Sequence, residues 1–191
     1  MSNVHRFQRA DLTAQPWKNG GGVTKEIVSW PPGSTVANFN WRVSIAHIAS
    51  SGPFSAFPGV DRVITLLEGV GVALHAANGN ANHRLDQALV PFSFAGDALI
   101  QADLLGPDCH DFNVMTRRST CSASVQALKT NAKLPLQSQG LLFATHGQWR
   151  ANDETLRANE GLWWHDEPFA WTLTPLDANA ALIAVLIQPH P

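Results

Sequence analysis

Arginine, serine, asparagine and aspartate recur two residues apart along short alternating runs of this sequence, and that spacing decides which of them can act together. In Asn40–Ile48, Arg42, Ser44 and Ala46 fall on one face, and Trp41, Val43 and Ile45 on the other. Successive strand side chains point to opposite sides, so residues two apart point the same way. In Asp111–Arg117, Asp111, Asn113, Met115 and Arg117 share a face opposite Phe112, Val114 and Thr116. If these faces line a cavity, Arg42 is a bidentate anchor for a carboxylate, with hydroxyl and amide groups beside it. If they meet water, the same residues are ordinary solvated groups. Pattern alone leaves both readings open. Glu26, on the run Thr24–Ser29, raises the same question. Asp61-Arg62 opens an apolar run, and a structural ion pair is the expectation there.

A second group is Pro16-Trp17-Lys18-Asn19-Gly20-Gly21-Gly22. It matches neither a phosphate-binding P-loop nor the dinucleotide fingerprint, and no helical pattern follows it. Successive glycine amides can form a concave anion nest. Lys18 would add a point charge, Asn19 an amide and Trp17 a stacking surface. The competing reading is a glycine bulge that turns one strand into the next.

Other chemistries find less support. The eight histidines are His5, His47, His75, His83, His110, His146, His165 and His190, and no two are separated by a single residue. A strand-borne metal site needs two ligands facing the same way, with a carboxylate and a third histidine nearby. His75 and His83 flank the Asn78-Gly79 turn and could meet across a hairpin, but two ligands hold a metal poorly. No metal and no cofactor is expected. No Gly-x-Ser-x-Gly elbow occurs. Cys109 and His110 are adjacent, so on a strand they face apart.

The elements that must hold these groups are short and numerous. Turn signals such as Pro31-Pro32-Gly33, Ser51-Gly52-Pro53, Asn78-Gly79, Gly96-Asp97 and Gly106-Pro107 punctuate apolar or alternating runs. That rhythm predicts a sandwich or barrel. The strands read as Thr24–Ser29, Asn40–Ile48, Arg62–Glu68, Val72–Ala76, His83–Leu85, Ala98–Ala102 and Asp111–Arg117. They continue as Ser122–Leu128, Gln139–Ala144, Gln148–Arg150, Gly161–Trp164, Ala170–Thr174 and Ala181–Gln188. So many strands suit two stacked barrels, or one barrel and a second sheet. Asp11–Ala14 could form one helical turn. The loose stretch Thr130–Gln139 reads as the connection between halves 1–129 and 130–191 of a single 1–191 domain.

Bulk properties exclude several classes. The chain has 191 residues, 45% hydrophobic and 15% charged, with a formal net charge of −2. That length can bury a real core. No basic stripe appears, so nucleic acid is not an expected partner. The longest apolar run, Ala178–Ile187 interrupted by Asn179, falls short of the roughly 20 residues a membrane helix needs. The opening MSNVHRFQRADL carries no apolar segment of a secretory signal. Cys109 and Cys121 read as two reduced thiols, and a cytoplasmic location is the expectation. A homodimer is compatible with all of this.

Several of these motifs occur in a familiar order. Pro16-Trp17-Lys18-Asn19-Gly20-Gly21-Gly22-Val23-Thr24-Lys25-Glu26-Ile27 resembles the signature of the HutD/Ves family. So does Phe39-Asn40-Trp41-Arg42-Val43-Ser44-Ile45-Ala46, followed by Gly52-Pro53-Phe54-Ser55, Phe57 and Gly59-Val60-Asp61-Arg62. Pro91-Phe92, Phe94, Gly96-Asp97 and Asp111-Phe112-Asn113-Val114-Met115 with Arg117-Arg118 continue the series. The resemblance implies a mainly β fold of cupin-type double barrel (bicupin) form, with very little helix and usually no metal. It also implies a binding protein for a small carboxylate such as formylglutamate, one that moderates histidine utilisation.

The leading expectation is therefore a non-enzymatic carboxylate-binding protein. Its site would draw on Trp17, Lys18, Asn19, Gly20, Gly21, Glu26, Arg42, Ser44, Asp111 and Asn113. One competing expectation is a metal-free enzyme with Glu26 or Asp111 as general base. Another is a regulatory module that engages a protein through a sheet edge or apolar patch.

Overall fold

The computed structural model describes residues 3–77 and 82–190. Nineteen strands and a single 3-10 turn (Arg9–Asp11) are found among them. In chain order the first ten strands are β1 (Val4–Gln8), β2 (Ala14–Pro16), β3 (Gly22–Trp30), β4 (Trp41–Ile48), β5 (Gly52–Pro53), β6 (Val60–Gly69), β7 (Val72–Ala76), β8 (Asn82–Leu85), β9 (Pro91–Ala95) and β10 (Ile100–Leu104). The rest are β11 (Cys109–Arg117), β12 (Cys121–Leu128), β13 (Ala132–Lys133), β14 (Gln139–His146), β15 (Trp149–Ala151), β16 (Glu154–Leu156), β17 (Glu160–Trp164), β18 (Thr172–Pro175) and β19 (Ala181–Pro189). No helix among the described residues is long and apolar enough to cross a membrane.

The strands form two compact units, one of Thr13–Ser122 with His190, the other of the chain up to Leu12 with Ala123–Pro189. In the first unit, a six-stranded sheet of order β2-β3-β4-β11-β6-β9 accompanies a four-stranded sheet of order β5-β10-β7-β8. Ile48, Ile64, Leu66 and Cys109 of the larger sheet join Val72, Leu74, Leu85, Ile100 and Ala102 of the smaller in one core. In the second unit the orders are β1-β17-β14-β19-β12 and β13-β18-β15-β16. Its core includes Leu142, Trp149, Leu162, Trp164, Trp171, Leu173 and Leu182. Each unit is thus a pair of facing sheets, not joined into one closed ladder. Burial of apolar side chains between the layers is what holds such a pair together.

The division differs from the expected halves at two places. β1 pairs antiparallel with β17 from Val4 opposite Trp164 to Gln8 opposite Glu160, so the start of the chain belongs to the C-terminal unit. The Thr130–Gln139 stretch is not merely a connection, since β13 within it pairs with β18. The helical turn expected over Asp11–Ala14 is instead the 3-10 turn Arg9–Asp11, and the chain is extended from Ala14. The Asn78-Gly79 turn lies outside the described residues. Cys109 and Cys121 are free and buried. Burial, aided by the Asp111 and Asp108 carboxylates, pushes the Cys109 thiol up to about 12.

Candidate functional site

In the Thr13–Ser122 unit the strand pairing stacks polar side chains row by row. Met115 on β11 stands between Arg42 on β4 and Arg62 on β6, Asn113 pairs with Ser44, and Asp111 pairs with Ala46. The period of two carries Arg42, Ser44, Asp111, Asn113 and Arg62 to one face of the sheet. Arg42, Arg62, Asp111, Asn113 and Met115 line a cavity of about 210 Å³. Gln15, Pro16, Trp17 and Thr24 form one wall, and Pro53, Phe54, Ser55 and Phe57 another. The volume lies below the roughly 300–1,000 Å³ of drug-sized sites, which suits a small molecule.

Arg62 is 8% exposed. The rings of Phe54, Phe57 and Phe94 lie 5.3, 5.8 and 5.1 Å from its guanidinium carbon. Cation–π contacts of this kind hold the group flat against aromatic faces. Its Nε donates to Asn113 Oδ1 at 3.4 Å, and it has no other hydrogen-bond acceptor among the described residues. Burial lowers its pKa to about 10; the Asp111 carboxylate opposes that and Arg42 adds to it. It remains charged at neutral pH.

Arg42 is also buried, but it is occupied. Its Nε donates to Glu26 Oε2 at 2.6 Å, and its Nη1 lies 3.9 Å from the Met115 sulfur. Glu26 is thus the counter-charge of Arg42 and not a wall of the cavity. Asp111 is 2% exposed, and its Oδ1 is buried with no hydrogen-bond donor. Burial pushes its carboxyl up to about 7, against the pull of Arg62. Ser44 is buried behind the same face, with its hydroxyl also lacking a partner.

The glycine run does not contribute amides to this cavity. Lys18, Asn19 and Gly20 are exposed. The Gly20 amide donates to the Trp17 carbonyl at 3.0 Å, and the Gly21 amide to Asn19 Oδ1 at 3.0 Å. Those donors serve the turn between β2 and β3. Trp17 does reach the cavity, fixed by its Nε1 donating to Thr24 Oγ1 at 2.8 Å. Arg117 is a clamp elsewhere, donating to the Phe39 and Ala37 carbonyls.

Asp61 and Arg62 are not an ion pair. Asp61 accepts from Arg118 Nε at 2.7 Å, while Arg62 turns inward. Arg62 is the site residue that sequence reading missed. The signal was strand parity: Arg62, Ile64 and Leu66 keep step with the inward rows of β11. The nearly continuous apolar run Val63–Leu67 hides that alternation. Phe54 and Phe57 sit in irregular chain, where no period exists to place them.

The histidines are dispersed. His83 pairs with Leu74 and stacks on Phe92, whereas His75 pairs with Asn82 and approaches Asp103, so the hairpin does not join them as ligands. Among the described residues, no group of three or more His, Cys, Asp or Glu side chains could hold a metal ion.

The sequence model of the HutD family matches residues 9–183. The chain belongs to the HutD family. Protein Ves of Citrobacter koseri (strain ATCC BAA-895) is 44% identical over 161 residues, which cover 84% of this chain and 82% of that protein. The structure of HutD from Pseudomonas fluorescens SBW25 superposes with a TM-score of 0.87 at 27% identity, covering 98% of this chain and all of that one. A cupin 2 conserved barrel domain protein from Leptotrichia buccalis superposes at a TM-score of 0.61 with 9% identity, covering 96% of each chain, a likeness of fold alone. This member of the HutD family is thus nearly all β and cupin-like.

Proposed function

We propose that this protein is a non-enzymatic binding protein for a small carboxylate, and that it moderates histidine utilisation by sensing an intermediate of formylglutamate type. The observation that carries the reading is Arg62, a buried guanidinium aimed into a small cavity with only one long hydrogen bond to the protein. A buried cation with free donors lowers its free energy by taking an anionic acceptor, and a planar guanidinium fits a carboxylate bidentately. Asn113 adds an amide, Trp17 and Phe54 apolar walls, and Arg42 a second guanidinium whose charge Glu26 offsets. Membership of the HutD family supports the pathway assignment.

The test is calorimetric titration with N-formyl-L-glutamate and with urocanate. Arg62→Met retains the apolar stem against the phenylalanines and removes the charge. Charge-assisted bonds contribute roughly 1.5–3 kcal/mol each, so affinity should fall by a factor on the order of 100. Arg42→Ala should weaken binding less, since the Arg42 charge is already offset by Glu26. Undiminished affinity in Arg62→Met would sink the reading.

A second reading has one observation in its favour. The buried Asp111 carboxyl, held near neutrality beside the cavity, is a proton acceptor of the kind catalysis uses. Turnover of either compound that disappears in Asp111→Asn would promote it.

A further inference from the structure

Asp111 is the acidic residue of the cavity lining, and its Oδ1 is buried with no hydrogen-bond partner among the described residues. Its strand neighbours leave it facing the same space as Arg62. A ligand carboxylate that docks on Arg62 therefore enters a cavity that already contains a buried carboxyl group. Two carboxylates brought together in one small cavity, one of them buried, do not readily both stay ionised; one of them takes up a proton. The ligand's group faces the guanidinium donors, so the proton goes to Asp111. The Asp111 hydroxyl then becomes a donor to the bound anion, and the hydrogen bond is charge-assisted.

We infer that Asp111 binds the ligand as a neutral acid: it donates a hydrogen bond to the ligand's carboxylate, so each ligand binds together with one proton from solvent. The inference rests on the carboxylate-binding reading above. The charged and titratable groups that face Asp111 are Arg62 from β6, Arg42 from β4 and the Cys109 thiol of its own strand. His47 and His110 pair with each other one residue along and stack, at 4.6 Å between ring centroids, on the opposite face of β4 and β11. In the unliganded protein the Asp111 carboxyl already stands at about 7, raised by burial and opposed by Arg62. A bound anion displaces it further in the direction burial has set.

The experiment is calorimetry of N-formyl-L-glutamate and of acetate, near pH 6 and near pH 8, the latter in both phosphate and Tris. Only the protonated fraction of Asp111 is competent, so affinity near pH 8 should be about tenfold weaker than near pH 6. Near pH 8 the difference in heat between the two buffers should report close to one proton taken up per ligand. Asp111→Asn keeps a neutral donor and has no proton to gain. Its affinity should be flat across that range and its heats independent of buffer.

Proton uptake that persists in Asp111→Asn would overturn the assignment. Wild-type affinity that is flat with pH, with binding still lost in Arg62→Met, would overturn this inference and leave the carboxylate reading standing. Binding of neither probe at either pH would overturn both. Should Asp111→Asn fail to fold, the proton count of the wild-type protein decides the matter.

Discussion

Arg62 and Asp111 are both buried against one cavity, and neither is in an ion pair among the described residues. Leaving charge unpaired in a protein interior is costly, and the carboxyl relieves the cost by holding its proton. The sign of the resulting pH dependence follows from the direction of the shift. Asp111 is raised from an ordinary 3.8 to about 7 on folding, so its contribution is most favourable below pH 4, where both states are protonated. Stability is then lost as pH rises through the window from about 4 to 7, and the loss levels off above it. Asp111→Asn carries no such charge. In urea denaturation, the variant should gain on the wild-type protein across that window, reaching a few kcal/mol near pH 8. Parallel pH profiles for the two proteins would refute this. The gain also marks Asp111 as a group whose placement serves the cavity at the expense of the fold.

At the scale of the element, β3 and β4 set where the cavity wall begins. A Cβ on Gly22 would lie 2.2 Å from the His47 carbonyl oxygen and 3.2 Å from the Trp17 ring. Backbone cannot yield to that contact, so Gly22→Ala must shift the start of β3 and, with it, Trp17. Gly20 has open space around it but a φ of +72°, which costs a side chain roughly 1–2 kcal/mol. Thermal denaturation should therefore separate the two. Gly20→Ala should lose about 2–8 °C, while Gly22→Ala should lose more and also weaken ligand binding. Equal losses would show that the β3–β4 contact is not the constraint.

Strand parity explains what could be foreseen at this scale. In β4 and β11 polar and apolar residues alternate, so Arg42 with Ser44, and Asp111 with Asn113, were legible as two polar strand faces, and the β4–β11 pairing joins them. In β6 both faces are apolar from Val63 to Leu67 except at Thr65, so the alternation that turns Arg62 inward was not legible. Lys18, Asn19 and the glycines looked like an anion nest because composition does not reveal which acceptor an amide meets. Here the acceptors are the loop's own Trp17 carbonyl and Asn19 side chain.

At the scale of the whole molecule, the element order was readable and the pairing across long sequence distance was not. Thirteen strands stood out through their turns and apolar runs. The short or polar β1, β2, β5, β9, β13 and β16 did not, because such strands are stabilised by their partners and not by local pattern. β1 is the consequential case. Its five residues pair with β17 more than 150 residues on, and its Phe7 ring packs in the space that Gly161 leaves, stacking on Phe143 at 5.8 Å between centroids. The start of the chain is therefore an edge strand of the C-terminal unit, whereas the cavity is built wholly within Thr13–Ser122. Removing residues 1–12 should expose the β17 edge and the Phe143 ring. Hydrogen exchange should then show protection lost first in Glu160–Trp164 and Gln139–His146, with β4 and β11 keeping theirs. If β4 and β11 lose protection as early as β17 does, the two units open as one cooperative body, and the division of the chain into a cavity-bearing unit and a second β unit has no energetic meaning.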